Sequence, residues 1–201
     1  MRKATLHLKR SDAILAAIIE QIGPCSMPPR VADFNSLARS IVYQQLSGKA
    51  AGTIFGRVLE AANTDPLTPD SVLKISPERL RAAGLSQQKA SYIRDLAQKT
   101  REGVVDFERL SGLGDDDVIA HLTQVKGVGV WTVQMLLMFA LKRPDVLPVA
   151  DLGIRKAIQR TYGLETPPKP KEMEAIAEKW RPYRTVACWY LWRSLDGPAA
   201  L

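Results

Sequence analysis

Between residues 122 and 131 the chain reads Leu-Thr-Gln-Val-Lys-Gly-Val-Gly-Val-Trp, and this stretch restricts the fold more than any other. The tripeptide Gly127-Val128-Gly129 interrupts two apolar helical patterns, which predicts a tight hairpin between helices. Glycine can take a positive φ in such a turn and leaves the backbone N–H groups bare. The next helix begins at once, so its unpaired N–H groups and the positive end of its dipole face the same side as the hairpin. That makes a phosphate site with no need of a charged side chain. Asp151 lies a short distance beyond Trp131, and a carboxylate there points to chemistry beside a nucleic-acid backbone.

The rest of the chain is punctuated as helices. Ser11 is read as the cap of a helix running towards Gly23, Asp33 opens a pattern through Tyr43, and residues 48–62 follow after a short polar break. Thr68-Pro69 and Ser76-Pro77-Glu78 each place proline at the first helical position after an N-cap. Gly84 ends the second of these helices, Ser86 caps a helix over 87–102, and Gly103 closes it. Further helices are predicted over 115–122, 130–141, 151–162, 171–180 and 184–195. The 130–141 segment is apolar nearly all round, which marks a central buried helix. No stretch alternates convincingly as a strand, so the expected fold is all-α. The Pro-rich segments at 23–30 and 166–170 suit boundaries between two lobes. Residues 31–142 would form a central lobe with the hairpin, and 1–30 with 143–201 a second one, leaving a cleft where Asp151 meets the hairpin.

Lysine and arginine outnumber acidic residues 28 to 21, a net charge of +7 that favours polyanionic partners without naming one. Cys25 and Cys188 are the only cysteines, so neither a four-cysteine zinc site nor a cysteine-held iron–sulfur cluster fits within this chain. Two scattered thiols suit a reduced, cytosolic setting, although their spacing does not forbid a disulfide. The N-terminus is basic, but the apolar run over 13–19 is short and bracketed by Asp12 and Glu20, which predicts a surface helix and not a signal peptide. The longest apolar run, 130–141, is too short to cross a bilayer.

Three more segments stand in order around the hairpin and Asp151. They are Ala38-Arg-Ser-Ile-Val-Tyr-Gln-Gln-Leu-Ser-Gly-Lys-Ala-Ala51, Ala83-Gly-Leu-Ser86, and Trp180-Arg-Pro-Tyr-Arg184 with Trp189 and Trp192. Together these residues resemble the helix-hairpin-helix DNA glycosylase superfamily. They are most similar to the compact form of its 3-methyladenine DNA glycosylase II branch, which removes alkylated bases. The resemblance implies a two-lobed helical fold and a monomer. It implies double-stranded DNA with alkylated bases as the partner, no membrane, and no required cofactor. The expected location is the cytoplasm or nucleoid, or the nucleus in a eukaryote.

Asp151 precedes a helix and so reads first as an N-cap. The resemblance adds a catalytic role that is compatible with capping. Breaking an N-glycosidic bond builds oxocarbenium-like positive charge on the sugar, and a fixed carboxylate near C1′ stabilises it. At position 131, where bifunctional relatives keep a lysine nucleophile, this chain has tryptophan. Water is therefore the expected nucleophile, and base release without strand cleavage the expected outcome. Lys126 stands before the hairpin glycines, where the family often has proline, and is not the equivalent lysine.

Trp131, Trp192 and Tyr43 are the expected walls of a base pocket, since a cationic methylated purine attracts aromatic faces. Met135 and Leu152 occupy positions where the inducible bacterial type places aromatics, which shifts or narrows the substrate range. Trp189 is read as core. The Gln44-Gln45-Leu46 turn resembles the family's minor-groove wedge, with Gln45 or Leu46 as the plug, and Ser86 with Leu85 and Gln87 could press the opposite strand. Lys126, Gly127, Val128, Gly129, Lys49 and Lys89 are the expected backbone contacts, with Arg155 and Lys156 as further cations. The carbonyls of Thr123, Val125 and Val128 match positions that often hold a structural Na⁺ or K⁺. The rival readings are a bifunctional glycosylase/lyase for oxidised bases and a non-catalytic DNA-binding module. Trp131 argues against the first, and Asp151 with the 43–47 turn argues against the second.

Overall fold

The computed structural model describes residues 1–28 and 30–195. Its elements are α1 (Arg2–Ser11), α2 (Ala13–Ile22), α3 (Phe34–Tyr43), α4 (Gly48–Ala62), α5 (Pro69–Lys74), α6 (Pro77–Ala82) and α7 (Gln87–Arg101). They continue with α8 (Asp115–Leu122), α9 (Val130–Phe139), α10 (Leu152–Thr161), α11 (Pro170–Ala177) and α12 (Arg184–Arg193). Short 3₁₀ turns lie at Leu110–Gly112 and Glu178–Trp180. No strand occurs among the described residues, in keeping with the all-α expectation.

Local chemistry explains where most helices begin. Asp33, Ser47, Thr68, Ser76 and Ser86 each accept a backbone N–H of the first turn they precede. Each such cap contributes about 1 kcal/mol. At the N-terminus the sequence reading needs correction. Ser11 does not cap α2 but ends a separate helix, α1, and Asp12 is the cap. The basic, thinly apolar pattern of Arg2–Ser11 hid this helix; only Ala4 and Leu8 of it are buried.

The chain divides into two compact units, Arg30–Leu136 and Met1–Pro29 with Leu137–Leu201. The second boundary falls inside α9, whereas the sequence reading places it after Lys142. In the 30–136 unit, α7 packs against α3, α5 and α6. Ile93, Leu96 and Ala97 supply its buried face, and each of the two larger side chains contributes about 1.5–3 kcal/mol by leaving water.

In the other unit a single carboxylate joins elements distant in sequence. Asp12 Oδ1 accepts the amides of Ile14 (2.9 Å) and Leu15 (3.2 Å). Its Oδ2 accepts the Trp180 indole N–H (2.8 Å) and the Tyr162 hydroxyl, and lies 3.2 Å from Lys179 Nζ. Burial raises the carboxyl pKa, but the bonds from Tyr162, Trp180 and Leu15 outweigh it and hold Asp12 below the usual carboxylate range. The same carboxylate, with burial, pushes the Tyr162 phenol upward.

The Asp12 side chain is fully buried, so removing its charge leaves those donors unmatched. Asp12→Asn is expected to destabilise this unit by about 3 kcal/mol at neutral pH in urea unfolding. Because the folded pKa is lowered, that stabilisation is present above the unfolded value near ~3.9 and is lost as pH falls through the folded pKa. The gap between wild type and variant should therefore close in acid. A constant gap from pH 7 to pH 2 would show that the charge of Asp12 is not what stabilises the unit.

Candidate functional site

The hairpin over 123–129 is built on two buried anchors, Val125 and Val128, with the Val128 amide donating to the Val125 carbonyl (3.1 Å). Lys126, Gly127 and Gly129 are exposed between and beyond them. The Val133 amide donates to the Gly129 carbonyl (3.2 Å), so α9 starts directly at the second glycine. The two glycines differ. Gly127 has φ +76°, and a Cβ there would lie 2.0 Å from the Tyr92 ring. Gly129 lies outside the left-handed region, and a Cβ there would meet nothing within 4 Å.

Behind this hairpin, α7 supplies fixed partners. Asp95 Oδ2 accepts the Lys126 amide (2.9 Å) and the Lys99 ammonium (2.8 Å), and Lys99 Nζ also donates to the Gln124 carbonyl (2.6 Å). The Lys126 ammonium lies 3.7 Å from Asp95 Oδ1. These contacts hold the Asp95 carboxyl below its ordinary pKa against the opposing effect of burial.

The turn between α3 and α4 faces the same helix. Lys89 Nζ donates to the carbonyls of Val42 (2.7 Å) and Gln44 (2.6 Å), satisfying the open end of α3. Burial lowers its pKa. Two of the three donors of the Lys89 ammonium, read from the sequence as a backbone-binding cation, are thus directed to carbonyls within the protein. Gln44 is also committed, since its Nε2 donates to the Gly127 carbonyl (2.9 Å). Gln45 takes φ +57°, a conformation that side chains other than glycine rarely adopt, and is exposed. Leu46 is 40% exposed. Tyr43 is half-buried, with Arg39 donating to its hydroxyl (2.8 Å) and stacked over its ring at 4.6 Å.

In the unit that includes residues 137–201, Asp151 is the N-cap of α10 and only 8% exposed. Its Oδ1 accepts the Ile154 amide (2.8 Å) and the Trp192 indole N–H (2.9 Å). Phe139 stacks on Trp192 at 5.8 Å between centroids. Gly153 makes this arrangement possible: a Cβ there would stand 3.0 Å from Trp192 Cδ1 and 3.1 Å from Asp151 Oδ1. The sequence reading missed Gly153, although a glycine in the first turn of a helix is itself a signal, since it costs about 1 kcal/mol relative to alanine.

The remaining expected residues are placed variously. Trp131 is 41% exposed at the start of α9, and Met135, one turn on, is half-buried. Leu152 is 77% exposed. Lys49 and Lys156 are exposed. Arg155 is engaged with the Pro168 carbonyl (2.9 Å). Ser86 is exposed and accepts the Lys89 amide as the N-cap of α7; Gln87 beside it is exposed and Leu85 is buried. Thr123 is the C-cap of α8, so its carbonyl lies at the negative end of that helix. Trp189 packs edge-on against Tyr190.

A family model described as HhH-GPD superfamily base excision DNA repair protein matches residues 38–182. The chain is 33% identical to DNA-3-methyladenine glycosylase 1 of Schizosaccharomyces pombe, with 96% of this chain and 87% of the relative covered. Among solved structures, a Schizosaccharomyces pombe 3-methyladenine DNA glycosylase in complex with abasic DNA matches with a TM-score of 0.86 at 32% identity, covering 99% of each chain. A DNA-3-methyladenine glycosidase from Bacillus halodurans matches with a TM-score of 0.85 at 38% identity, covering 96% of this chain and 88% of the other.

The unequal glycines give a direct test of the hairpin. Gly127→Ala must displace the Tyr92 ring and hold alanine at a left-handed φ, so a clear fall in melting temperature is expected, on the order of 2 kcal/mol or more. Gly129→Ala meets no protein atom and should melt like wild type. Equal destabilisation by the two substitutions in thermal unfolding would contradict this geometry.

Proposed function

The chain belongs to the HhH-GPD superfamily of base excision DNA repair proteins, and we propose that it is a monofunctional DNA glycosylase releasing alkylated purines from duplex DNA. The observation that carries this reading is the buried Asp151 carboxylate, held through one oxygen by Ile154 and Trp192, in a chain with tryptophan at position 131. A lyase needs an amine, and the nearby Lys126 ammonium is drawn to Asp95.

In this mechanism the hairpin amides of Gly127 and Gly129 grip a phosphate, the Val128 amide being spent on the Val125 carbonyl, with Lys49 as an accessory cation. The nucleotide is extruded, and Gln45 or Leu46 fills the gap. The base is proposed to stack on the exposed indole of Trp131. Alkylation at N3 or N7 leaves the purine positively charged, so the C1′–N bond breaks with its electron pair passing to the base. Asp151 offsets the charge that develops on the sugar. Water then adds to C1′ and loses a proton, leaving an abasic site in an uncut strand.

Trp192 has a positioning task, since its N–H fixes the orientation of the carboxylate. A monovalent cation on the carbonyls of Thr123, Val125 and Val128 suits their hard oxygens and the negative end of α8, and its chemistry would be to stiffen the hairpin. The protein would act as a monomer wherever the DNA lies, in the cytoplasm or nucleoid, or in a nucleus. 3-Methyladenine, 7-methylguanine or a related purine is the proposed substrate.

Incubation with methylated duplex DNA, followed by chromatography of the released bases, tests the activity and ranks the substrates. Asp151→Asn keeps an N-cap and the side-chain volume but removes the charge. It should bind duplex DNA almost as wild type does and release base at least about 100-fold more slowly. Retained activity in Asp151→Asn would rule out the electrostatic role. Borohydride treatment of wild type on damaged DNA should trap no adduct, and strands should break only after alkali. Good yields of a covalent adduct would instead establish an amine nucleophile.

A further inference from the structure

Within the 30–136 unit, two exposed features meet on one helix. Lys89, Tyr92 and Asp95 follow at intervals of three along α7 and so share a face. Lys89 holds the α3–α4 turn through Val42 and Gln44. Tyr92 lies against Gly127, and Asp95 holds the Lys126 amide. Gln44 closes the circuit: its carbonyl is held by Lys89, and its own amide reaches across 83 positions to the Gly127 carbonyl at 2.9 Å. The next residue, Gln45, is in the left-handed region. Such a conformation persists only where the surroundings over-determine it, and here the fixed residue immediately before it is Gln44.

We propose that Gln44 is a positioning residue that locks the wedge turn to the phosphate hairpin and is not itself inserted into DNA. The sequence reading placed Gln44 in the wedge with Gln45 and Leu46; the structure assigns it a bracing role. This inference rests on the glycosylase reading above. A wedge can unstack a duplex only if the binding energy gained at the phosphate is transmitted to it. A turn that yields when pushed against stacked bases transmits none. With Gln44 bonded at both ends, Gln45 and Leu46 enter at a fixed offset from the gripped phosphate. The bond also occupies the Gly127 carbonyl.

Three substitutions separate bracing from ordinary stabilisation. Gln44→Met keeps the length and removes the donor, Gln44→Glu sets a carboxylate against the Gly127 carbonyl, and Gln44→Lys restores a donor of similar reach. The measurements are melting temperature, anisotropy binding to undamaged duplex, fluorescence of 2-aminopurine next to an alkylated base, and single-turnover base release. For Gln44→Met and Gln44→Glu, unstacking and base release should fall by at least about tenfold, the loss expected for a hydrogen bond that fixes geometry. Melting and undamaged-duplex binding should change little for Gln44→Met. Gln44→Lys should recover most of the unstacking signal.

The proposal is overturned if Gln44→Met unstacks DNA like wild type. It is equally overturned if the loss is fully matched by weaker binding to undamaged duplex, since Gln44 would then only support the hairpin. A wild-type protein that neither unstacks nor releases base would bring down the glycosylase reading itself. An active wild type with an equally active Gln44→Met would bring down the brace alone.

Discussion

A chain of short helices must end its hydrogen-bond ladder many times, and each end leaves N–H or C=O groups that need partners. This constraint runs through the whole protein. N-terminal ends are met locally: among the described residues, seven helices have an aspartate, serine or threonine side chain accepting a first-turn amide. C-terminal ends and turns are met from far away, by cations. Lys89 takes the end of α3, Arg94 the Ile75 carbonyl beyond α5, Lys99 the Gln124 carbonyl beyond α8, and Arg184 the Asp145 carbonyl. Part of the excess positive charge is therefore structural, and a net charge of +7 overstates what is left for a polyanion.

The same division explains what the sequence could convey. N-caps involve residues three apart, so Asp33, Ser76, Ser86 and Asp151 were legible as helix starts before any coordinates. Asp12 was passed over for Ser11 because the two are adjacent and α1 carries little apolar signal. The cationic partners are 19 to 47 positions from their carbonyls, and no local pattern distinguishes a lysine that caps a distant turn from one that is solvated. The two intramolecular bonds of Lys89 are hidden from the sequence for that reason. The bond from Gln44 to the Gly127 carbonyl has no local signature either, because the two lie 83 positions apart.

The residues proposed for the chemistry stand at two helix starts, where the same electrostatics would serve in opposite senses. At α9 a helix begins directly after a glycine hairpin, a setting that suits an anion from outside the chain. At α10 the anion belongs to the chain, and Asp151 occupies the place that a ligand would otherwise take. An N-cap carboxylate is held near the helix end whether or not DNA is bound, so it needs no rearrangement when positive charge develops nearby. Trp192 adds a second donor to the same oxygen, and Gly153 keeps the space in which that bond forms. The glycine weakens the first turn of α10 in exchange for a carboxylate with a defined orientation.

The hairpin shows how a fold requirement and a ligand requirement can be told apart residue by residue. Tyr92 and a left-handed backbone already demand glycine at 127, so glycine there would be required even in a chain that bound nothing. At 129 neither demand exists: φ is ordinary and the space around a Cβ is open. Glycine in that position gives up backbone entropy on folding and gains no internal contact in return. What a missing side chain does provide at the first step of a helix is a bare surface on which a phosphate oxygen can reach the amides of the following turn. The second glycine, and not the first, is therefore the one whose identity speaks for a ligand.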